Sequence, residues 1–193
     1  VAFSIAIGAL SFFIIDGGIP TYIFVQRLIS PTLSFPLLAV PFFIMTGVIM
    51  NHSGITRRIM NLADVLVGHL VGGFAQINIL MSTLMGGMSA SANADAAMQS
   101  KIVVPEMTKR NYGPGFSASI TACSAIIAAI IPPGIALVLY GFISGTSIGK
   151  LFLAGILPGI LLSVLLMMTV RFMSFKYNYA PSRIKKATSK EII

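Results

Sequence analysis

The chain has 193 residues, of which 56% are hydrophobic and only 9% charged, with a formal net charge of +8 and a mean hydropathy of +0.93. Soluble domains carry about 25% charged residues, so a water-soluble globular fold is excluded and the class is an all-α polytopic membrane protein. The basic excess does not point to nucleic acid as a partner, because Lys and Arg gather in the cytoplasmic loops of proteins embedded in a lipid bilayer.

The chain opens on Val1, apolar at once and without a charged leading stretch. That is expected of a fragment entered partway through a membrane segment rather than of a cleaved signal peptide. Residues 1–15 read as the end of a span, and the DGGIPT run at 16–21 as an interfacial turn. Residues 22–34, holding Arg27 and Pro31, form a short connection. A second span covers 35–50, with Pro36 and Pro41 near its start, where proline is tolerated in the first turn and kinks the helix if deeper. Beyond it, Ile55, Ile59, Leu62, Leu66 and Leu70 recur at helical spacing, with Arg57, Arg58, Asn61, Asp64 and Gly68 opposite. This pattern predicts an amphipathic helix lying in the membrane interface, with Asp64 and His69 on its wet face.

Residues 74–88 are apolar but make only about 22 Å of helix, short of the ~30 Å hydrocarbon core. They run into GGMSASANADA, residues 86–96, and the charges of Lys101, Glu106, Lys109 and Arg110 show the chain soon back at water. Two short arms and a small polar tip predict a re-entrant hairpin. Non-helical backbone at membrane depth survives only when buried in protein or lining an aqueous cavity. Residues 116–149 would make about 51 Å of helix, too long for one straight span. IPPG at 131–134 interrupts them, because Pro132 and Pro133 lack amide donors and disfavour α geometry in the residue before each. The prediction is a discontinuous helix with unpaired carbonyls just upstream of the break. Residues 151–170 form a last span, followed by a basic tail with Arg171, Lys176, Arg183, Lys185, Lys186 and Lys190. If the hairpin returns to its own side, the tail shares a face with Arg57, Arg58, Lys101, Lys109 and Arg110, leaving Arg27 and Lys150 on the other. The crowded face is then cytoplasmic.

No catalytic constellation is present: there is no HExxH, GxSxG or GxxxxGK[ST] and no His/Cys cluster, and Cys123 is alone, so no enzyme is expected. The two broken elements suit transport. Secondary transporters coordinate Na⁺ with freed carbonyls and hydroxyls near the bilayer midplane, and aim helix N-termini at anionic substrate groups. Ser89, Ser91 and Asn93 offer oxygen ligands within five residues, and the carbonyls of 128–131 are freed by the prolines. Bland readings stand beside this one. Small residues also serve close helix packing, Asn93 and Asp95 are good caps for the second arm, and a double proline is also a plain kink. Asp95 is open to a structural role and to a part in cation attraction or proton coupling. The rival functional class is an ion channel with a re-entrant selectivity loop; a purely structural membrane subunit is a third.

The blocks FPLLAVPFFIMTGVIMNHSGI, GHLVGGFAQINILMS, GGMSASANADAA, IIPPGIALVLYG and LFLAGILPGILL occur in order. In this the chain resembles the large membrane subunit of tripartite ATP-independent periplasmic (TRAP) transporters, the subunit type of C4-dicarboxylate and sialic acid systems. The resemblance implies an ion-transporter-superfamily elevator fold of two inverted repeats, each with a re-entrant hairpin and a discontinuous helix, of which this chain supplies the first. It implies scaffold-type elements at 1–72, a transport-type hairpin and broken helix at 73–149, and a last span with a cytoplasmic linker at 150–193. It also implies a multi-pass bacterial inner-membrane location, Na⁺ as coupling ion with no other cofactor, and a carboxylate substrate. The implied partners are a periplasmic solute-binding protein and a small four-helix membrane subunit. The family's Ser-Gly-Ser tip matches Ser89-Ala90-Ser91, and its following Ala-Asp matches Ala94-Asp95. Its Gly-Pro before the double proline is replaced by Ala128-Ala129, and the Ser after it by Gly134. The implied Na⁺ ligands are Ser89, Ser91 and Asn93 with the carbonyls of Ala128, Ile131 and Pro133. The implied substrate contacts are Ser91, Asn93 and position 134, where glycine brings no hydroxyl.

Overall fold

The computed structural model describes residues 2–16, 20, 22–33 and 35–183, and all regular structure among them is helical. Most of the interfacial turn expected at 16–21, and Lys185, Lys186 and Lys190 of the tail, lie outside the described residues. Helix α1 (Ala2–Asp16) meets α2 (Tyr22–Ile29) through Phe13 and Phe24, whose ring centroids are 5.6 Å apart. A 3-10 turn at Ser30–Leu33 leads to α3 (Phe35–His52), which holds Pro41 in its interior. Gly54, at φ 77°, lets the chain bend by 74° into the amphipathic helix α4 (Ile55–Val67). Helix α4 buries Thr56, Ala63 and Val67 against the molecule, while Leu62 and Leu66 of the expected apolar stripe stay exposed. An outward apolar stripe is what an interfacial helix presents to lipid.

The hairpin is present, with a shorter tip than the sequence suggests. Helix α5 (Gly73–Ser89) and α6 (Ala92–Lys109) leave only Ala90 and Ser91 outside regular helix. The polar run at 86–96 is therefore mostly helical rather than a loop. Gly86 and Gly87 continue α5 despite their poor helix propensity because packing needs them. A Cβ on Gly86 would meet Ala128 Cα at 3.0 Å, and one on Gly87 would meet the Pro132 carbonyl at 3.2 Å. Each arm is about 26 Å long at ~1.5 Å per residue, short of the bilayer core.

The discontinuous helix breaks where the prolines require it. Helix α7 (Pro114–Ile130) and α8 (Ile135–Ser144) meet at a bend of 44°. Among the described residues, α9 (Ile148–Lys176) is the one unbroken helix long and apolar enough to cross a membrane, and it extends past both ends of the expected 151–170 span. Its glycines seat the break. A Cβ on Gly155 would lie 2.6 Å from the Ile130 carbonyl, and one on Gly159 would lie 2.5 Å from Ile131 Cγ1. Small residues four apart let helices approach closely where no hydrophobic effect drives association.

The chain after α9 folds back as a strap over the roots of the hairpin. The amide of Gly72 donates to the Tyr179 carbonyl, the amide of Arg183 to the Gly68 carbonyl, and the Gly113 amide to the Tyr179 hydroxyl. Tyr179 stacks on Tyr112 at 4.3 Å between centroids. Burial pushes the Tyr112 phenol up to about 12, so it remains a neutral donor to the Ala180 carbonyl. Asp64, read from sequence as simply wet, accepts from Ser182 Oγ at 2.7 Å and from Arg183 Nε at 2.8 Å. The pair is about a third exposed, so solvent screens it. Asp64→Ala should lower unfolding stability in detergent by about 1 kcal/mol or less, and a loss several times larger would show that the strap holds the fold together through this residue.

Candidate functional site

Candidate residues from both broken elements converge at the hairpin tip. Ala90 turns the chain in the left-handed region, at φ 52°, and Ser91 follows in extended backbone as the N-cap of α6, its Oγ accepting from the Ala94 amide. The cap is thus Ser91, not Asn93 or Asp95. Asn93 is left exposed. Ser89 is half-buried, and its Oγ is shut away from solvent with no hydrogen-bond partner among the described residues.

The Ala90 carbonyl accepts from the Ile135 amide at 3.3 Å, tying the hairpin tip to the first residue after the helix break. On the far side of the break, the Ile131 amide donates back to the Ile127 carbonyl. The carbonyls of Ala128 and Ala129 would need donors at 132 and 133, where proline has none. Ala128 is fully buried, while Ile131 and Pro133 are half-buried. Gly134 is a close-approach residue, since a Cβ there would sit 2.8 Å from the Ala129 carbonyl. Hard oxygens predominate, and among the described residues no group of His, Cys, Asp and Glu suits a transition metal. That donor chemistry fits an alkali cation.

Helix α3 closes one side. Gly47 lies against the tip, where a Cβ would be 3.7 Å from the Met88 carbonyl. A cavity of about 240 Å³ remains between α3 and the tip, with Ser89, Ser91 and Ile135 in its wall.

Asp95, one turn below the cap, is sealed between the arms at 0% exposure. Ser82 Oγ donates to its Oδ2 at 2.7 Å, and Gln99 Nε2 donates to the same oxygen at 2.9 Å and to Ser82 Oγ. The carboxylate is thereby a tie across the hairpin, which favours the structural alternative for this residue. A second buried network holds the hairpin to α7. Asn78 Nδ2 donates to Thr121 Oγ1 at 2.9 Å, and Ser124 Oγ donates to Asn78 Oδ1 at 2.8 Å. Two further links reach α9: Gln76 Nε2 donates to the Met167 carbonyl, and Thr83 shares a hydrogen bond with Ser163. Sequence reasoning missed Ser82, Gln99 and Asn78. Gln99 had a readable signal, lying four residues after Asp95 on the same helical face.

Comparison with known proteins identifies the family. The family described as tripartite ATP-independent periplasmic transporter, DctM component, matches residues 1–192. The sialic acid TRAP transporter large permease protein SiaM of Vibrio cholerae is 41% identical over 191 residues, covering 99% of this chain and 44% of that protein. The sialic acid TRAP transporter permease protein SiaT of Haemophilus influenzae is 43% identical over 167 residues, 86% of this chain and 27% of that one. The 2,3-diketo-L-gulonate TRAP transporter large permease protein YiaN of Escherichia coli is 42% identical over 170 residues, 88% of this chain and 40% of that one. The chain thus spans less than half the length of these relatives.

Proposed function

The chain belongs to the DctM component family of tripartite ATP-independent periplasmic transporters, and from that premise we propose that it forms the first repeat of the membrane permease of a Na⁺-coupled organic-acid importer. The importer is a multi-pass protein of the bacterial inner membrane. It takes its solute from a periplasmic solute-binding protein, works beside a small four-helix subunit, and carries the acid across by an elevator motion of the hairpin and broken helix. Sialic acid and 2,3-diketo-L-gulonate, after which the relatives are named, are both carboxylic acids. The observation that carries the reading is the Ala90–Ile135 link, which sets the two interruptions of helical backbone against each other.

Ser89, Ser91 and Asn93, with the carbonyls of Ala128, Ile131 and Pro133, are the residues that would hold Na⁺. Ser91, Asn93 and the backbone at Gly134 would face the carboxylate. The N-terminal ends of α6 and α8 bring the positive ends of their dipoles to this place. A bound cation supplies positive charge that lowers the cost of bringing an anion into low dielectric, and coupling follows as the reciprocal effect of each ligand on the other. Uptake into proteoliposomes by the complete transporter should collapse when Na⁺ is replaced by K⁺; equal uptake in the two salts would end the Na⁺ proposal. Ser91→Ala should raise the Na⁺ concentration needed for half-maximal uptake by about tenfold, as loss of one ligand or charge-assisted contact of ~1.4 kcal/mol implies. A fall in expression alone would reduce Ser91 to a cap.

A further inference from the structure

Asn78 stands where both hairpin arms meet α7. Its Nδ2 donates to Thr121 Oγ1 at 2.9 Å and, weakly, to the Met107 sulfur at 3.9 Å, while its Oδ1 accepts from Ser124 Oγ at 2.8 Å. Asn78 and Ser124 are at 0% exposure and Thr121 at 5%, so the pairing is closed within these three helices. Helices α5 and α7 rise side by side from the root of the hairpin, one to the tip and the other to the break. Asn78, Ser82 and Gly86 share a face of α5, and Thr121, Ser124 and Ala128 share a face of α7. Gly86 stands about 12 Å above Asn78 and Ala128 about 6 Å above Ser124, at ~1.5 Å per residue. There the two helices touch again. Packing alone resists sliding poorly at this contact. Helix α7 offers Ser124, Ala125, Ala128 and Ala129, and α5 offers Gly86 and Gly87. Small side chains allow close approach but make shallow ridges and grooves. A slide of one residue, ~1.5 Å, would take the Asn78 amide out of hydrogen-bond range of both hydroxyls.

We infer that Asn78 is a positioning residue for the Na⁺ site. By pairing with Thr121 and Ser124 it fixes the register of α5 against α7, and with it the spacing between the tip hydroxyls and the carbonyls freed at the break. The inference rests on the Na⁺ reading above and deepens it. A single buried Asn selects one register in coiled coils in the same way, at some cost in stability. The oxygens of the Na⁺ site come from both sides of this joint, Ser89 and Ser91 from the hairpin and the Ala128 carbonyl from α7. A register error at Asn78 therefore changes their separation, and apparent Na⁺ affinity falls with the fraction of molecules in register. Interhelical hydrogen bonds in membranes bias such equilibria by about threefold each, so two together are worth about tenfold.

The test replaces the whole network at once, Asn78→Leu with Thr121→Val and Ser124→Ala, in the complete transporter. With its hydrogen-bonding groups removed together, the variant should insert and unfold within a few degrees of the parent. Its Na⁺ concentration for half-maximal uptake should rise by about three- to tenfold. Register is read separately by Gly86→Cys with Ala128→Cys in a Cys123→Ser background. Cβ atoms at 86 and 128 lie 3.7 Å apart, within the ~3.5–4.5 Å of a disulfide. Oxidative cross-linking of that pair should be at least about threefold slower in the network variant. An unchanged Na⁺ requirement, whether or not the unfolding temperature falls, would overturn the inference, as would unchanged cross-linking. If the triple variant fails to insert, Ser124→Ala decides: about a threefold rise in the Na⁺ requirement upholds the inference and a parental value overturns it. If the parent takes up its acid equally in Na⁺ and K⁺, the Na⁺ reading falls. Slower cross-linking would then still uphold Asn78 as the residue that sets the register, and unchanged cross-linking would overturn it.

Discussion

Gly86→Val is expected to abolish uptake while the protein still inserts into the membrane. Gly86 is where the hairpin rests on the end of α7. A single Cβ there already meets Ala128 Cα at 3.0 Å and Ile131 Cβ at 3.3 Å. The first contact is with backbone, which cannot swing aside as a side chain can. Overpacking of this kind costs roughly 1–3 kcal/mol or more, and relief requires the tip to lift away from the break, parting the Ala90–Ile135 hydrogen bond. Uptake per inserted protein should fall by about tenfold or more, since each ~1.4 kcal/mol is tenfold in an equilibrium. Gly86→Ala should be intermediate, because a shift of a few tenths of an ångström accommodates it. Normal uptake by the valine variant would mean that the tip does not work while seated on this part of α7.

The second large effect is at Asp95. Asp95→Ala removes the shared acceptor of Ser82 and Gln99, leaving two buried donors at 0% exposure without it. Each unsatisfied buried group costs about 1–3 kcal/mol, and because Gln99 keeps Ser82 Oγ as an acceptor only Ser82 is left without one, so the variant should lose about 2 kcal/mol of stability in detergent. Asp95→Asn keeps an oxygen in the same place and should lose less than half as much. If the alanine variant unfolded at the same temperature as the parent, the carboxylate would not be the tie between the arms.

The break at 131–134 was legible because its cause is local: proline lacks an amide wherever it stands. The helical hairpin was legible from its small polar tip and from charges that return soon after it. Its exact extent was not, because the identity of Gly86 and Gly87 suggests a loop while their place against Ala128 and Pro132 makes them helix. The capping oxygen came out as Ser91 rather than Asn93 or Asp95, for a related reason. Three neighbouring residues all have capping chemistry, and only backbone geometry chooses among them. Asp64 shows a different limit. Its partner Arg183 lies 119 residues away, and no periodicity on α4 announces a strap arriving from beyond α9. Asn78 with Thr121 and Ser124 is the same kind of case, a buried pairing set by how α5 and α7 are rotated.

The proposed Na⁺ site requires Asn93 to face water at the hairpin tip. In a Cys123→Ser background, Asn93→Cys in the complete transporter should react with a membrane-impermeant maleimide, and Na⁺ should slow that reaction several-fold relative to K⁺ at equal ionic strength. No reaction under any salt, with Lys109→Cys on the exposed end of α6 reacting normally, would place the tip in lipid or sealed protein. Equal rates in Na⁺ and K⁺ would leave a wet tip with no cation of its own, and either result would contradict the proposed mechanism.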